Sequence, residues 1–295
     1  MEKAILRTLI YADIFDYPLT IFEIHKWVIG KKSNLRQVEN AIKKLVQSSK
    51  CKVQSKYYFL PKKDSLVTKR RRNEKQSRKY LQKAHLVAGI LKIIPWVKLV
   101  GISGSLSMGN VSKKDDIDIF VIIENNRLWT SRLLILVLLS IFNVRRKASD
   151  KKSEVGGKIC LNLILDTDHL EQTKKDLYTA HEVLQMKVLW QKEGIYHKYL
   201  SDNEWVFKFL PNWIASERLM IKDLRFKSIH QSLIINHKSI LDWFEGLGKW
   251  FQLKIMSKPS GMERIDNGAL YFHPQDCRLE VLSQYRHRLQ KFSTP

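Results

Sequence analysis

The stretch GISGSLSMGNVSKKDDIDIFVII, Gly101–Ile123, sets Asp116 and Asp118 one residue apart at the head of an otherwise apolar strand. Residues i and i+2 of a strand project from one face. The spacing therefore forces two carboxylates side by side, while Ile117, Ile119 and Val121 point the other way into a core. Two unpaired buried like charges a few ångströms apart are strongly destabilising. A chain that keeps them needs a cation between them, and hard carboxylate oxygens suit Mg²⁺ or Mn²⁺. The preceding GSLSMG adds the second half of a phosphate site. Gly104 lets the backbone turn closely, Ser105 offers a hydroxyl and an amide, and a helix starting there aims its first amides at an anion. An anion cradle beside a carboxylate metal site describes metal-assisted phosphoryl or nucleotidyl transfer.

These residues resemble the signature of the DNA polymerase beta-like nucleotidyltransferase superfamily, especially its small bacterial and archaeal members. That signature is Gly-Ser-x-Ala-x-Gly, a short loop, then Ser-Asp-Ile-Asp followed by hydrophobics. This chain reads Gly104-Ser105-Leu106-Ser107-Met108-Gly109, then NVSKK, then Asp115-Asp116-Ile117-Asp118-Ile119, with Ser107 in place of the alanine and Asp115 in place of the serine. The match covers residues 96–170. The resemblance implies that Gly104, Ser105 and Gly109 hold the terminal phosphates of a nucleoside triphosphate and that Asp116 and Asp118 bind the metal. It also implies a third carboxylate on a neighbouring strand. In KICLNLILDTD the position where relatives often carry an aspartate is Asn162, and Asp166 follows four residues later with the same strand parity. Either Asp166 completes the catalytic set, or Asn162 sits against the nucleotide in a site with two carboxylates. A DxD pair also holds Mn²⁺ and a diphosphate in nucleotide-sugar glycosyltransferases, but those lack the upstream GSxxxG turn.

The flanking sequence predicts an α+β chain. EKAILRTLIYADIF has helical spacing and stops at DYP, because Pro18 disfavours helix at Tyr17. Thr20 with Glu23 marks a capping box for a second helix, and Asn34 caps a third whose Leu35, Val38, Ile42 and Leu45 form one stripe. KCKVQSKYYFLP then reads as two short strands. Three helices followed by a hairpin is the order of a winged helix, a resemblance resting on element order over residues 1–61. It implies that the third helix enters a DNA groove, with Lys43, Lys44, Lys50, Lys52 and Lys56 on phosphates. Residues 62–95 read as a basic connecting helix whose Lys69–Arg72 run is a solvated face, with a nucleic-acid contact the alternative, residues 96–170 as the nucleotidyltransferase core, and residues 171–295 as a helical C-terminal domain. In that last part Trp190, Trp205, Trp213, Trp243 and Trp250 read as packing anchors and KPSGMERIDNGA as a linker. Pro274 and Asp276 are explained by helix initiation, with His273 and Asp276 as substrate contacts the alternative. His181-Glu182 lacks the second histidine of a zinc-protease motif.

Formal net charge is +23, and residues 1–95 alone hold 22 Lys/Arg against 7 Asp/Glu. That bias suggests a polyanionic partner, most simply nucleic acid. Cys51, Cys160 and Cys277 form no CxxC and no disulfide framework. The longest apolar run, Leu133–Phe142, is about half a membrane span, and no signal peptide opens the chain, so a cytoplasmic protein is expected. Two functions are carried forward: a metal-dependent nucleotidyltransferase using an unknown acceptor hydroxyl, and a DNA- or RNA-binding regulatory protein whose transferase fold is degenerate and non-catalytic.

Overall fold

The computed structural model describes residues 1–61, 65–147, 149–151, 153–213, 238–256, 264–266, 268–272 and 277–293. Helix α1 (Glu2–Ile14) ends just ahead of Pro18. A two-residue strand β1 (Leu19–Thr20) leads into α2 (Ile21–Trp27). The start of α2 is pinned reciprocally: the Glu23 N–H donates to the Thr20 hydroxyl (3.3 Å) and the Thr20 N–H to the Glu23 carboxylate (2.8 Å). Asn34 and Gln37 make the same arrangement at α3 (Leu35–Gln47). Strands β2 (Lys52–Gln54) and β3 (Tyr57–Phe59) form a hairpin, and β1 joins it in the antiparallel order β1-β3-β2. Val38, Ile42 and Leu45 of the predicted stripe are buried against Ile5, Leu9 and Ile24.

Helix α4 (Leu66–Leu91) keeps Arg71 and Arg72 exposed and Lys69 partly exposed, as a solvated basic face requires, and corrects that expectation at Arg70. Arg70, Asn73 and Ser77 are buried, because the polar half of α4 packs against the N-terminal unit. The Arg70 guanidinium lies 3.6 Å from the Tyr17 ring centroid and bonds Glu23 and Glu74, each at 2.8 Å. Its apolar half buries Ala84, Val87, Ala88 and Leu91 against the central sheet.

That sheet contains β4 (Val97–Ile102), β5 (Ile117–Ile123), β6 (Ile159–Asp166), β7 (Lys187–Gln191), β8 (Arg264–Asp266) and β9 (Ala269–Tyr271) in the order β7-β4-β5-β6-β9-β8. The β5–β6 pair is parallel and the others antiparallel. A short α5 (Gly104–Ser107) follows β4, and α6 (Leu128–Ile141) lies between β5 and β6. Val100, Ile119, Val121 and Ile164 face α4 and α6. Leu99, Phe120, Ile122 and Leu165 face α7 (Leu177–Gln185) and α8 (Ile195–Asp202), in a core continuous with the N-terminal unit.

The chain beyond Asp168 is therefore not all helix, as its sequence predicted. Helix α7 stops at Gln185, Met186 turns to ψ 130°, and the next five residues pair with β4. Gly101 of β4 makes this approach possible: a Cβ there would lie 2.8 Å from Met186 Sδ and 2.9 Å from the Lys187 carbonyl. The stretch read as a linker carries β8, and β9 pairs with β6. Two helices complete the chain, α9 (Lys238–Met256) and α10 (Cys277–Ser293). His273, Pro274 and Asp276 lie outside the described residues. Glu245 of α9 accepts the Trp129 and Thr130 amides (2.6 and 2.9 Å), supplying the cap that Arg127 does not give α6. Trp205 and Trp213 are buried as anchors, but Trp243 and Trp250 are 61% and 60% exposed, since α9 meets α6 through Asp242, Glu245 and Gln252 instead. Among the described residues, no helix is long and apolar enough to cross a membrane.

The Arg70 cluster generates a stability prediction. Arg70→Met leaves two carboxylates without their buried counter-charge and is expected to cost about 3–5 kcal/mol. Lys69, paired with Asp16 at 2.7 Å but with both side chains more than a third exposed, is expected to cost at most about 1 kcal/mol as Lys69→Met. Urea unfolding of the two variants checks the contrast; equal losses would remove the buried-ion account.

Candidate functional site

The site is built where β4 ends and β5 begins. The Ser103 N–H donates to the Asp118 carbonyl (3.1 Å), the last rung joining the two strands before the chain leaves β4. Gly104 then takes φ +59°, and a Cβ added to it would collide with Oδ2 of Asp118. The residue is glycine for both reasons, and the turn lies directly on the Asp118 carboxylate. Ser107 Oγ donates to the Gly104 carbonyl (2.8 Å), while Gly109, at φ +69°, donates its N–H to the Leu106 carbonyl (3.0 Å) and closes α5. The Ser105 hydroxyl makes no hydrogen bond among the described residues, and the residue is half-exposed. Gly109 thus shapes the turn from its far end.

Asp116 and Asp118 are both half-buried. The parallel register sets Cys160 of β6 beside Asp118, so that ligand atoms of Asp116, Asp118 and Cys160 lie within 4.8 Å of one another. Arg146, from the loop before β6, reaches Asp116 Oδ2 at 2.5 Å and comes within 3.9 Å of Cys160 Sγ. Burial, then the negative charges of Asp116 and Glu182, push Asp118 up to about 7, against the opposing pull of Arg146. Burial likewise pushes Glu182, on α7, up to about 7, and the Cys160 thiol up to about 12. The chemistry of this donor set fits a hard divalent cation. The two aspartates supply oxygen ligands, a guanidinium already stands in for positive charge beside Asp116, and the thiol, held neutral, is the poor member.

Of the two residues left open for completing the site, the structure brings Asn162 close and leaves Asp166 away. Pairing passes from Ile119–Leu161 to Phe120–Leu163, so Asn162 is the extra residue of a β-bulge. It is buried, and its side-chain amide donates to Ser103 Oγ at 3.3 Å. The bulge also reverses the alternation beyond it. Asp166 falls in phase with Ile164, which packs toward α4 and α6, and pairs with Ile123 at the other end of β5. That is about 17–20 Å along the sheet from Asp118. There it accepts the Asp168 and His169 amides (3.0 Å each) and binds His169 Nδ1 at 2.7 Å, as a buried turn cap.

Three residues of this neighbourhood escape sequence reasoning. Arg146 lies in a basic loop indistinguishable from a solvated one. Cys160 depends on strand register. Glu182 comes from a helix more than sixty residues away and carries no local signal. Lys43 and Lys44 on α3, Lys50 in the turn after it, and Lys52 and Lys56 on the β2–β3 hairpin are all exposed, and none is part of the acidic site. The turn is also held from behind: Tyr17 donates its hydroxyl to the Met108 carbonyl (2.7 Å), and Asn73 donates to the Asn110 carbonyl and side chain (3.1 and 3.0 Å).

No family model and no curated protein matches this chain. Solved structures that are similar include a toxin–antitoxin crystallised with AMP-PNP (19% identity, TM-score 0.21) and the toxin–antitoxin MntA-HepT (16% identity, TM-score 0.20). Each match covers 52% of this chain and 99% or 97% of the other. Superposition this loose carries no argument, and the functional reading rests on the site itself.

The raised carboxylates predict a pH dependence of stability. Folded Asp118 keeps, up to about pH 7, a proton that an ordinary aspartate releases near 3.8. The folded state therefore binds more protons than the unfolded one in this window, and stability is lost as pH rises through it. In chelator, the melting temperature of the wild type is expected to fall more steeply between about pH 4 and 7 than that of Asp118→Asn. Parallel curves for the two proteins would overturn the assignment.

Proposed function

We propose that this protein is a metal-dependent nucleotidyltransferase of the polymerase-beta type, transferring a nucleoside monophosphate from a nucleoside triphosphate to an acceptor hydroxyl. The observation that carries the reading is the contact of Gly104 with the Asp118 carboxylate. It makes the Gly-Ser turn and the acid pair one site, as a triphosphate bridged to a cation requires. Asp116 and Asp118 would hold Mg²⁺ or Mn²⁺, which, when bound, neutralises phosphate charge and acidifies a coordinated hydroxyl. The backbone amides of the turn and the Ser105 hydroxyl hold the terminal phosphates. Arg146, freed from Asp116 when that carboxylate takes a cation, is the positive side chain within reach of the same oxygens.

In the transfer the acceptor oxygen forms a bond to the α-phosphorus, the bond from that phosphorus to the bridging oxygen breaks, and pyrophosphate leaves with the electron pair. The acceptor proton passes to a carboxylate. With Asn162 on β6 and Asp166 remote, the site is read as one of two carboxylates, Asp116 and Asp118, with Glu182 of α7 adding negative charge that bears on Asp118. Asn162 orients Ser103 at the root of the turn. Residues 1–61 are read as a winged-helix-like unit, for which the order β1-β3-β2 and the open lysine face of α3 speak.

Calorimetric titration with a non-hydrolysable nucleoside triphosphate and Mg²⁺ tests the reading. The wild type is expected to bind, and Asp116→Ala/Asp118→Ala to bind at least about tenfold more weakly, or about 1.4 kcal/mol. Gly104→Ala, whose methyl would displace Asp118, is expected to match the double variant. Equal heats from wild type and double variant would end the proposal. The second reading, a nucleic-acid-binding protein with a silent transferase fold, is favoured by Asn162 at the third-acid position and by the exposed lysines of α3 and its hairpin. Its mark is duplex DNA binding with a steep salt dependence and no nucleotide turnover.

A further inference from the structure

Helix α9 rests on α6 by its polar side. Asp242 pairs with Arg127 (2.7 Å), Glu245 accepts the Trp129 and Thr130 amides, and the Gln252 side-chain amide donates to the Trp129 carbonyl (2.8 Å). Its apolar side is turned to solvent. Trp243, Phe244, Leu247, Trp250 and Phe251 recur at i, i+1, i+4, i+7 and i+8, the spacing of one helix face, and all five are exposed. Helix α6 repeats the pattern: Leu133, Val137 and Ile141 stand four residues apart on one stripe and are exposed, Ile141 at 69%. Monomeric chains rarely leave so many large apolar side chains in water on two helices that touch. The charges beside these stripes have one sign. Helix α6 contains no acid, and both acids of α9, Asp242 and Glu245, are engaged with α6. Lys249 and Lys254 of α9 are exposed, with the Lys254 ammonium 5.2 Å from the Trp250 ring centroid, and Lys147 is exposed beyond the end of α6.

We infer that the exposed faces of α9 and α6 dock on an anionic lipid bilayer, with Trp243 and Trp250 at the level of the headgroups. Indole rings collect at the membrane–water interface. A helix with Trp, Phe and Leu on one side and lysines beside them lies in that plane, its apolar face among the acyl chains. Lys249, Lys254 and Lys147 add attraction to acidic headgroups. Among the described residues no helix is long and apolar enough to cross a membrane, so the contact is one of surface docking. The net charge of +23 selects a bilayer over a second copy of the chain, because two such chains repel each other while acidic lipid attracts each of them. A nucleic acid would match the lysines but has no use for Leu133, Val137, Ile141 and Leu247. None of these residues belongs to the acidic site, and the inference does not rest on the transferase reading.

The probes are vesicles of phosphatidylcholine alone and of phosphatidylcholine with phosphatidylserine, mixed with the whole chain at physiological ionic strength. Binding is followed by cosedimentation and by tryptophan emission. The wild type is expected to sediment with the phosphatidylserine vesicles and shift its emission to the blue, and to bind phosphatidylcholine alone at least about tenfold more weakly. Trp243→Ser/Trp250→Ser is expected to bind at least about tenfold more weakly than wild type. Both side chains already stand in water, so its thermal melt is expected to match. Lys249→Gln/Lys254→Gln is expected to weaken binding more than Lys31→Gln/Lys32→Gln, which removes the same charge from two exposed positions after α2. Absence of wild type from the vesicle pellet, or an unshifted emission, overturns the inference. Equal affinity in wild type and the tryptophan variant, or equal losses in the two lysine variants, marks adsorption by net charge alone and overturns it too. A wild-type dimer formed without vesicles, and dissociated in Trp243→Ser/Trp250→Ser, would assign the surface to a second copy and have the same consequence.

Discussion

The structure turns on one carboxylate. Asp118 is fixed from the backbone side by the Ser103 N–H on its own carbonyl, and its side chain lies under a glycine that has no room for any other residue. Asp116 stands on the same strand face and Glu182 of α7 adds charge, while Arg146 is the opposing guanidinium among the described residues. Such a cluster stays folded without a cation only by holding protons or borrowing Arg146. The donor atoms of Asp116, Asp118 and Cys160 are ones that could hold a metal ion.

Rigidity reaches this turn from three directions. Tyr17 holds the Met108 carbonyl, Asn73 and Ser77 of α4 hold Asn110 and Val111, and the core beneath is apolar strand packing. The first two meet at Arg70, whose guanidinium covers the Tyr17 ring and binds Glu23 and Glu74. The N-terminal unit is joined to the rest again through Tyr11, stacked on His181 at 4.2 Å, and through Asn212, which bonds the backbone of both His25 and Ser33. Burial pushes His181 down to about 3, so this stack is made by a neutral ring. Residues 1–61 thus act as a support for the site as well as a basic surface. The lysines of α3 and the hairpin are exposed and lie outside the acidic site.

Local chemistry made much of this readable in advance. The capping box at Thr20, the stop before Pro18, the stripe on α3 and the parity of Asp116 and Asp118 each depend on residues within one helix, one turn or one strand, where covalent geometry and periodicity leave few outcomes. The acid pair was legible for the same reason: parity along a strand is fixed by the pleat.

What lay beyond local reach was decided by partners. Asn162 and Asp166 have the same parity in the sequence, yet a bulge places one beside Ser103 and the other at the far end of the sheet, facing the opposite layer. Bulges arise from how two strands fit, and one strand's sequence does not contain the other. KVLWQ and ALY became strands because the edges of β4 and β6 had backbone groups to satisfy, and Trp243 and Trp250 stayed exposed because α9 turned its polar side to cap α6. The sequence by itself determined the turn, the carboxylate pair and the chemistry they can support. Only the tertiary structure decided that Cys160 and Arg146 stand beside that pair and that the charge of Glu182 bears on it, because side chains distant along the chain are brought together by packing, which no spacing rule records.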